Sequence, residues 1–476
     1  MRRHHSVLLQ ALALVALPGG CSSGSSPTSP APGADASTAS DAASVGDASV
    51  STDSSVADGG GAVDGAAVDG ESVVDASAAD VTVPDGSCLA GEGPIGACTV
   101  PRPELTEAGA ADFVPLAYLA QAGVLSAGLV TDHWDPTAGV GDVTTFVPMF
   151  SVAATGGTHT TVQAAINAAV TLGGTGRIYI SVAPGTYREV VCVPSGAPPI
   201  TLYGTNADAT QTTIVYGNYN GEATDAGAAV NSCSPPSTTF GTAGSSTFAV
   251  FAANFQAKNI TFSNDVSVAT LNATTGTQAV ALMTEADRII LENIRALGHQ
   301  DTLYIETPGG TIVRAYIKDS FVAGDVDFIF GGAAFVLDGC QIEFVSDRRA
   351  TGDILAPSTD SRAPYGILVT GSTFTGDANT AAGAVGLGRA WDRSTTDLLH
   401  YATQFVTSCE YPNGQAVVRD STLSAVIASS PWQAAATSKR PFCDNPWLCI
   451  ADAGSDGLCP ANRLFEFDNS GPGAAP

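Results

Sequence analysis

Five polar side chains stand in short apolar phrases that are far apart in the chain. Gln278 opens Gln278-Ala279-Val280-Ala281-Leu282, and Gln300 and Asp301 sit in Gly298-His299-Gln300-Asp301-Thr302-Leu303-Tyr304. Asp327 lies in Gly324-Asp325-Val326-Asp327-Phe328-Ile329-Phe330-Gly331, and Arg389 in Gly386-Leu387-Gly388-Arg389-Ala390-Trp391. Two carboxyls held close together split their pKa values, so one can be an acid while the other is ionised. Side-chain amides beside them can donate hydrogen bonds to an oxyanion. Asp327 is set among apolar residues, where a charge is costly unless a cation or hydrogen bonds accompany it. Arg389 is the obvious cation, because a guanidinium holds a carboxylate through two parallel bonds. A bland reading stands beside this one: an Asp ladder can be structural, through Asx turns, and an isolated Asp-Arg pair is more often a salt bridge than a nucleophile.

The spacing says what must position these groups. Gln278 and Asp301 are 23 positions apart, and Asp301 and Asp327 are 26 apart. Such steps bring side chains together if the chain returns on itself once in each interval. A repeated phrase supports that: apolar, polar, small polar, any residue, apolar. It occurs around Asn259, Asn293, Ser320, Cys340, Ser372 and Ser421, at steps of 34, 27, 20, 32 and 49. Irregular periods of about twenty to thirty residues in short β-branched runs are the pattern of a parallel β-helix, with insertions on one face. Residues one coil apart then stack at about 4.8 Å. No long helical pattern interleaves with the strands, which argues against a doubly wound α/β sheet. A β-sandwich is disfavoured because hairpin turns such as Asn-Gly are scarce. One amphipathic helix is predicted over Thr161–Val170, with Val162, Ala165, Ile166 and Ala169 on its apolar face and Thr160 or Thr161 as cap.

Of 476 residues, 46 are Asp or Glu and 19 are Lys or Arg, a formal net charge of −27. Hydrophobic residues make up 44% of the chain, enough for a sizeable core. Without a basic patch to neutralise phosphates, nucleic acid is excluded as a partner. No apolar run reaches the ~18 residues of a membrane-spanning helix. Arg2 and Arg3, the apolar run Val7–Leu17 and the small residues before Cys21 read as a secretory signal over 1–21. Cys21 follows the small residues as a lipidated cysteine would, which implies an outer-membrane lipoprotein, at the cell surface or in the periplasm, with plain secretion as the alternative. Residues 22–86, Ser, Ala, Gly, Asp and Val with no Lys or Arg, read as a disordered linker; 87–150 follow as an N-terminal extension and 151–476 as the β-helix domain. The remaining cysteines suggest disulfides between Cys88 and Cys98 and within Cys443, Cys449 and Cys459. No C-x-x-C pair and no His spacing such as H-E-x-x-H is present, so neither a metal nor another cofactor is expected.

At the phrases Gln-Asp-Thr-Leu-Tyr, Val-Asp-Phe-Ile-Phe-Gly and Leu-Gly-Arg-Ala-Trp the chain resembles the pectin methylesterases, carbohydrate esterases of right-handed parallel β-helix fold. Supporting phrases are Thr161-Val162-Gln163-Ala164-Ala165 and Pro184-Gly185-Thr186-Tyr187-Arg188-Glu189, and the later phrases are closest to the bacterial branch that includes outer-membrane lipoproteins. The resemblance implies an all-β solenoid with a short N-terminal helix cap and long loops on one face. It implies Asp327 as nucleophile on the C6 methyl ester of a galacturonate, and Asp301 as general acid and then base. Gln278 and Gln300 would donate to the oxyanion, Arg389 would orient Asp327, and Trp391 would stack on sugar. Val326, Phe330 and Thr205 would line the groove. Pectin or methylated oligogalacturonides would be the partner, met by a monomer. Asp325 departs from the neutral residue many members carry, an added negative charge expected to shift the pH optimum, and His299 reads as a neighbour of the site. An ester or acyl-thioester hydrolase of other substrates, or a non-catalytic polysaccharide-binding β-helix, are the alternatives.

Overall fold

The computed structural model describes residues 102–224, 227, 229–236, 238–393, 412–439, 441–443 and 462–476. The signal segment with Cys21, the linker, the Cys88–Cys98 pair, Cys449 and Cys459 lie outside the described residues. Three long parallel sheets organise the described chain, one of eleven strands and two of eight. Each coil gives one strand to each. Leu303–Ile305 belongs to the first sheet, Arg314–Lys318 to the second and longest, and Phe321–Gly324 to the third; Ile329–Gly331 then returns to the first. Register is maintained from coil to coil, as where Leu291 pairs with Ile317, Ile317 with Leu337, and Leu337 with Val369. This is the parallel β-helix the spacing predicts.

The interior is a column of Val, Ile, Leu and Phe from all three sheets, including Leu291, Ile317, Leu337 and Val369. On the second sheet the alternate positions Ile290, Tyr316, Val336 and Leu368 face outward, yet they are buried too. Phe113, Tyr118 and Leu119 of the N-terminal extension cover them. With both faces covered, these strands read as unbroken apolar runs and do not alternate. The extension carries the helices Glu107–Ala110 and Pro115–Ala120, and its strand Gln121–Val124 pairs antiparallel with Thr311–Ile312. The fully buried Arg314 ties it down, donating to the Leu119 carbonyl and to the carboxylates of Asp132 and Asp287. The first strand of the solenoid is Phe150–Val152.

The expected helix forms over Val162–Leu172. Thr161 caps it, and the Glu189 carboxylate accepts from the backbone N–H of Val162 and Gln163 at 2.7 and 2.9 Å. Anionic oxygens at a helix start satisfy donors that have no partner within the helix. Val162, Ala165, Ile166 and Ala169 are fully buried in the solenoid core.

The repeated phrase is the corner between the second and third sheets, and here the sequence reading needs a correction of one residue. The stacked left-handed positions are Asn259, Asn293, Asp319, Gly339, Gly371, Asp420 and Asp468, with φ from 46° to 65°. Only Gly, Asn and Asp visit this region at low cost. Ser320, Ser372 and Ser421 come one place later and make a ladder. Their hydroxyls accept from the backbone N–H of Ile294, Cys340 and Ser372, at 3.1, 3.0 and 3.1 Å. Cys340 is buried on this ladder as a free thiol, and Cys192 is disulfide-bonded to Cys233. That bridge spans 41 positions, so no local spacing announces it.

Candidate active site

The segments joining the third sheet to the first carry the predicted acids. Leu303 pairs with Ile329 and Ile329 with Leu355, so Asp301, Asp327 and Asp353, each two residues earlier, occupy one column on successive coils. Backbone bonds tie the coils together there. Ala279 N–H donates to the Gln300 carbonyl, Asp301 N–H to Val326, and Asp327 N–H to Asp353, at 3.0, 3.1 and 2.7 Å. Asp301 and Asp327 both have positive φ, 66° and 48°. Asp tolerates this conformation better than most residues, and such backbone clusters at functional sites.

Arg389 ends the strand Val385–Arg389 two coils on. Its Nε and Nη2 donate to the two oxygens of Asp327 at 2.9 and 2.8 Å, the bidentate grip expected. Next to it, Trp391 stands edge-on to two stacked rings. Tyr304 and Phe330 lie 4.2 Å apart and 7° from parallel, with Trp391 5.8 Å from Phe330 and 6.3 Å from Tyr304. The outward face of the first sheet is therefore an apolar floor, Ala249, Met283, Tyr304, Phe330 and Ala356. Arg393 lies over the Trp391 ring at 4.9 Å and pairs with Glu306.

Burial, joined by the neighbouring charge of Asp327, pushes the Asp301 carboxyl well above the usual range. Burial also raises Asp327, but the hydrogen bonds and charge of Arg389 oppose it. Asp327 therefore ionises first, and Asp301 keeps its proton. Both amides are aimed by their oxygens. Gln278 Oε1 accepts from Asn220 Nδ2 at 2.8 Å, and Gln300 Oε1 from the Thr277 hydroxyl at 2.6 Å. Each Nε2 is left to donate elsewhere. No group of three or more His, Cys, Asp or Glu arranged to hold a metal ion occurs among the described residues.

Residues 150–405 match the pectinesterase family. A pectinesterase of Ralstonia solanacearum is 42% identical over 384 residues, spanning 79% of this chain and 92% of that protein. The chain belongs to the pectinesterase family. Pectinesterase B of Dickeya dadantii is 37% identical over 421 residues, 79% of this chain and 91% of its own. The structure of rice weevil pectin methyl esterase superposes with a TM-score of 0.65 at 32% identity, over 79% of this chain and 99% of that one.

Within this pectinesterase fold Gln278, Gln300, Asp301, Asp327, Arg389 and Trp391 lie on neighbouring coils about the first sheet. Val326 is half-buried beside Asp327, and Phe330, 2% exposed, lies in the apolar floor of the first sheet with its ring 5.8 Å from that of Trp391. Thr205 is not brought to the site. It follows Ile200–Gly204 of the second sheet and lies exposed at the corner toward the third, because its coil turns there before reaching the first sheet. Thr242 stands closer to the amides, with Oγ1 3.4 Å from Asn220 Nδ2. Asp325 also differs from expectation. It is fully buried against Arg348, which donates to both its oxygens at 2.6 Å, and His299 Nδ1 lies 3.3 Å from it. Burial alone would raise Asp325, but His299 and Arg348 hold it below the usual value. Its charge thus comes with a counter-charge that sequence alone did not pair with it.

Sequence reasoning missed Asn220, Thr277, Arg348 and Asp353. Only Asp353 carried a usable signal, the second 26-residue step after Asp327.

Proposed function

We propose that this chain hydrolyses the C6 methyl esters of pectin, methylated homogalacturonan, to pectate and methanol through an aspartyl acyl-enzyme. Asp327 attacks the ester carbonyl, and the tetrahedral oxyanion is met by the Nε2 donors of Gln278 and Gln300. Asp301 gives its proton to the departing methanol oxygen. Water then attacks the acyl-enzyme while Asp301 takes a proton from it, and the product acid leaves as Asp327 is released. Arg389 orients the nucleophile, and Trp391, braced by Tyr304 and Phe330, offers a stacking surface to the sugar. The observation that carries this reading is the bidentate Arg389–Asp327 pair one coil from the buried Asp301, whose carboxyl burial holds well above the usual range, in a member of this family.

Methanol release from methylated pectin by the wild type and by Asp327→Asn tests it. Loss of release with an unchanged melting temperature is expected. Undiminished release by the variant, or a wild type that cleaves acyl-thioesters and no pectin, would overturn it.

The enzyme is further proposed to act as a monomer, tethered to the outer membrane by a lipid on Cys21. The order of apolar run, small residues and cysteine supports the anchor. Labelled palmitate should enter the wild type and not Cys21→Ser.

A further inference from the structure

The third carboxyl of the column has no part in the steps above. Asp353 is 4% exposed, and its Oδ2 lies 3.4 Å from Nε of Arg389, the same nitrogen that donates to Asp327. Its Oδ1 is buried with no hydrogen-bond partner. Gly386, opposite it on the next strand, makes the room: a Cβ there would stand 2.1 Å from Oδ1. The charged groups facing Asp353 are Asp327 on the coil before and Arg389 on the strand after. Asp325 on the Asp327 coil is paired with Arg348, which lies in the segment leading into Asp353, and His299 stands beyond Asp325 on the Asp301 coil.

We propose that Asp353 is a positioning residue that shares Arg389 with Asp327 and, when ionised, weakens the hold of Arg389 on the carboxylate product. The inference rests on the reading of Asp327 and Arg389 given above. Ester hydrolysis turns a neutral group into an anion beside a guanidinium. With Asp353 protonated, Asp327 and Arg389 sum to zero, and the product carboxylate meets a cation that is only balanced. With Asp353 ionised the cluster carries one net negative charge and repels the product. Burial places the Asp353 transition at about 6, opposed by Arg389 and reinforced by the charge of Asp327. Galacturonate carboxyls titrate in the ordinary carboxylate range and stay ionised above it, so the ligand's charge is constant while that of the cluster changes.

The test is competitive inhibition of methanol release by oligogalacturonate at pH 5 and pH 7. In the wild type the inhibition constant should weaken about tenfold over this interval, as a group titrating near 6 goes from about one-tenth to about nine-tenths ionised. In Asp353→Asn the inhibition constant should be the same at both pH values and equal to the wild-type constant at pH 5. An Asp353→Asn enzyme that keeps the wild-type pH dependence would overturn the inference. So would a wild-type constant that is flat from pH 5 to 7, which decides the matter even where the variant does not fold. Loss of turnover in Asp327→Asn with a flat inhibition profile refutes only the role of Asp353; retained turnover there refutes the underlying assignment.

Discussion

Replacing Arg348 by Met tests the electrostatics behind the acid pair. Both side chains of the Arg348–Asp325 pair are fully buried, and the two hydrogen bonds between them are 2.6 Å long. Removing one partner of a buried ion pair leaves an uncompensated charge, at a cost of about 3–5 kcal/mol. Met fills comparable volume, so the loss would be electrostatic more than steric. Asp325 also acts on the chemistry, because its charge raises both Asp301 and Asp327, and Arg348 lowers Asp301. Arg348→Met should therefore lower the unfolding free energy in urea by about 3–5 kcal/mol and move the alkaline limb of methanol release, where Asp301 loses its proton, to higher pH. Asp325→Asn combined with Arg348→Met removes both charges and should recover most of the stability and restore the limb. A single variant within about 0.5 kcal/mol of wild type, the scatter of neutral substitutions, would refute the reasoning. A double variant no better than the single one would do so as well.

Alanine at Gln278 or Gln300 should each reduce kcat by about 10²–10³ with little change in KM, as for loss of one oxyanion donor. Thr277→Val keeps the Gln300 donor but frees its amide to rotate, and a smaller kcat loss of about fivefold is expected in the same assay, from one hydrogen bond of about 1 kcal/mol. Opening the Cys192–Cys233 bridge by Ala at both positions should cost about 4 kcal/mol in thermal or urea unfolding, from the closure of a loop of this length. Asp353 is held at about 6 when folded against 3.8 ordinarily, so between those pH values the native chain binds the extra proton. Its contribution to stability is present below pH 4 and is lost as pH rises to 6, by about 3 kcal/mol. Urea unfolding at pH 4.5 and 7 should show that slope reduced in Asp353→Asn.

What could be read from the sequence was what recurs. The corner residues Asn259 and Asn293, the apolar strands between them and the 26-residue step from Asp301 to Asp327 announce a coil, because each coil must meet the same steric demands as the last. The column of acids follows from that step alone. The register slip at Ser320 arose because Ser and Asp are both small and polar. Only backbone geometry separates the residue that takes positive φ from the one that caps its neighbour. Arg348 and Thr277 were illegible for another reason. Each acts through a single partner, Asp325 or Gln300, and nothing periodic marks such a pair. Thr205 was placed by resemblance, and its coil turns toward the third sheet before it could reach the amides.

The corner column has a consequence for how this scaffold accommodates change. Every coil bonds only to the one before and the one after, so added length can bulge outward at a junction without disturbing distant rungs. Between each acid and the strand that follows it, Asp301 before Leu303–Ile305 and Asp327 before Ile329–Gly331, that freedom vanishes. A single residue inserted there would shift the carboxyl one place against its strand and turn it out of the column. The solenoid thus tolerates growth almost anywhere except across the two rungs that do its chemistry.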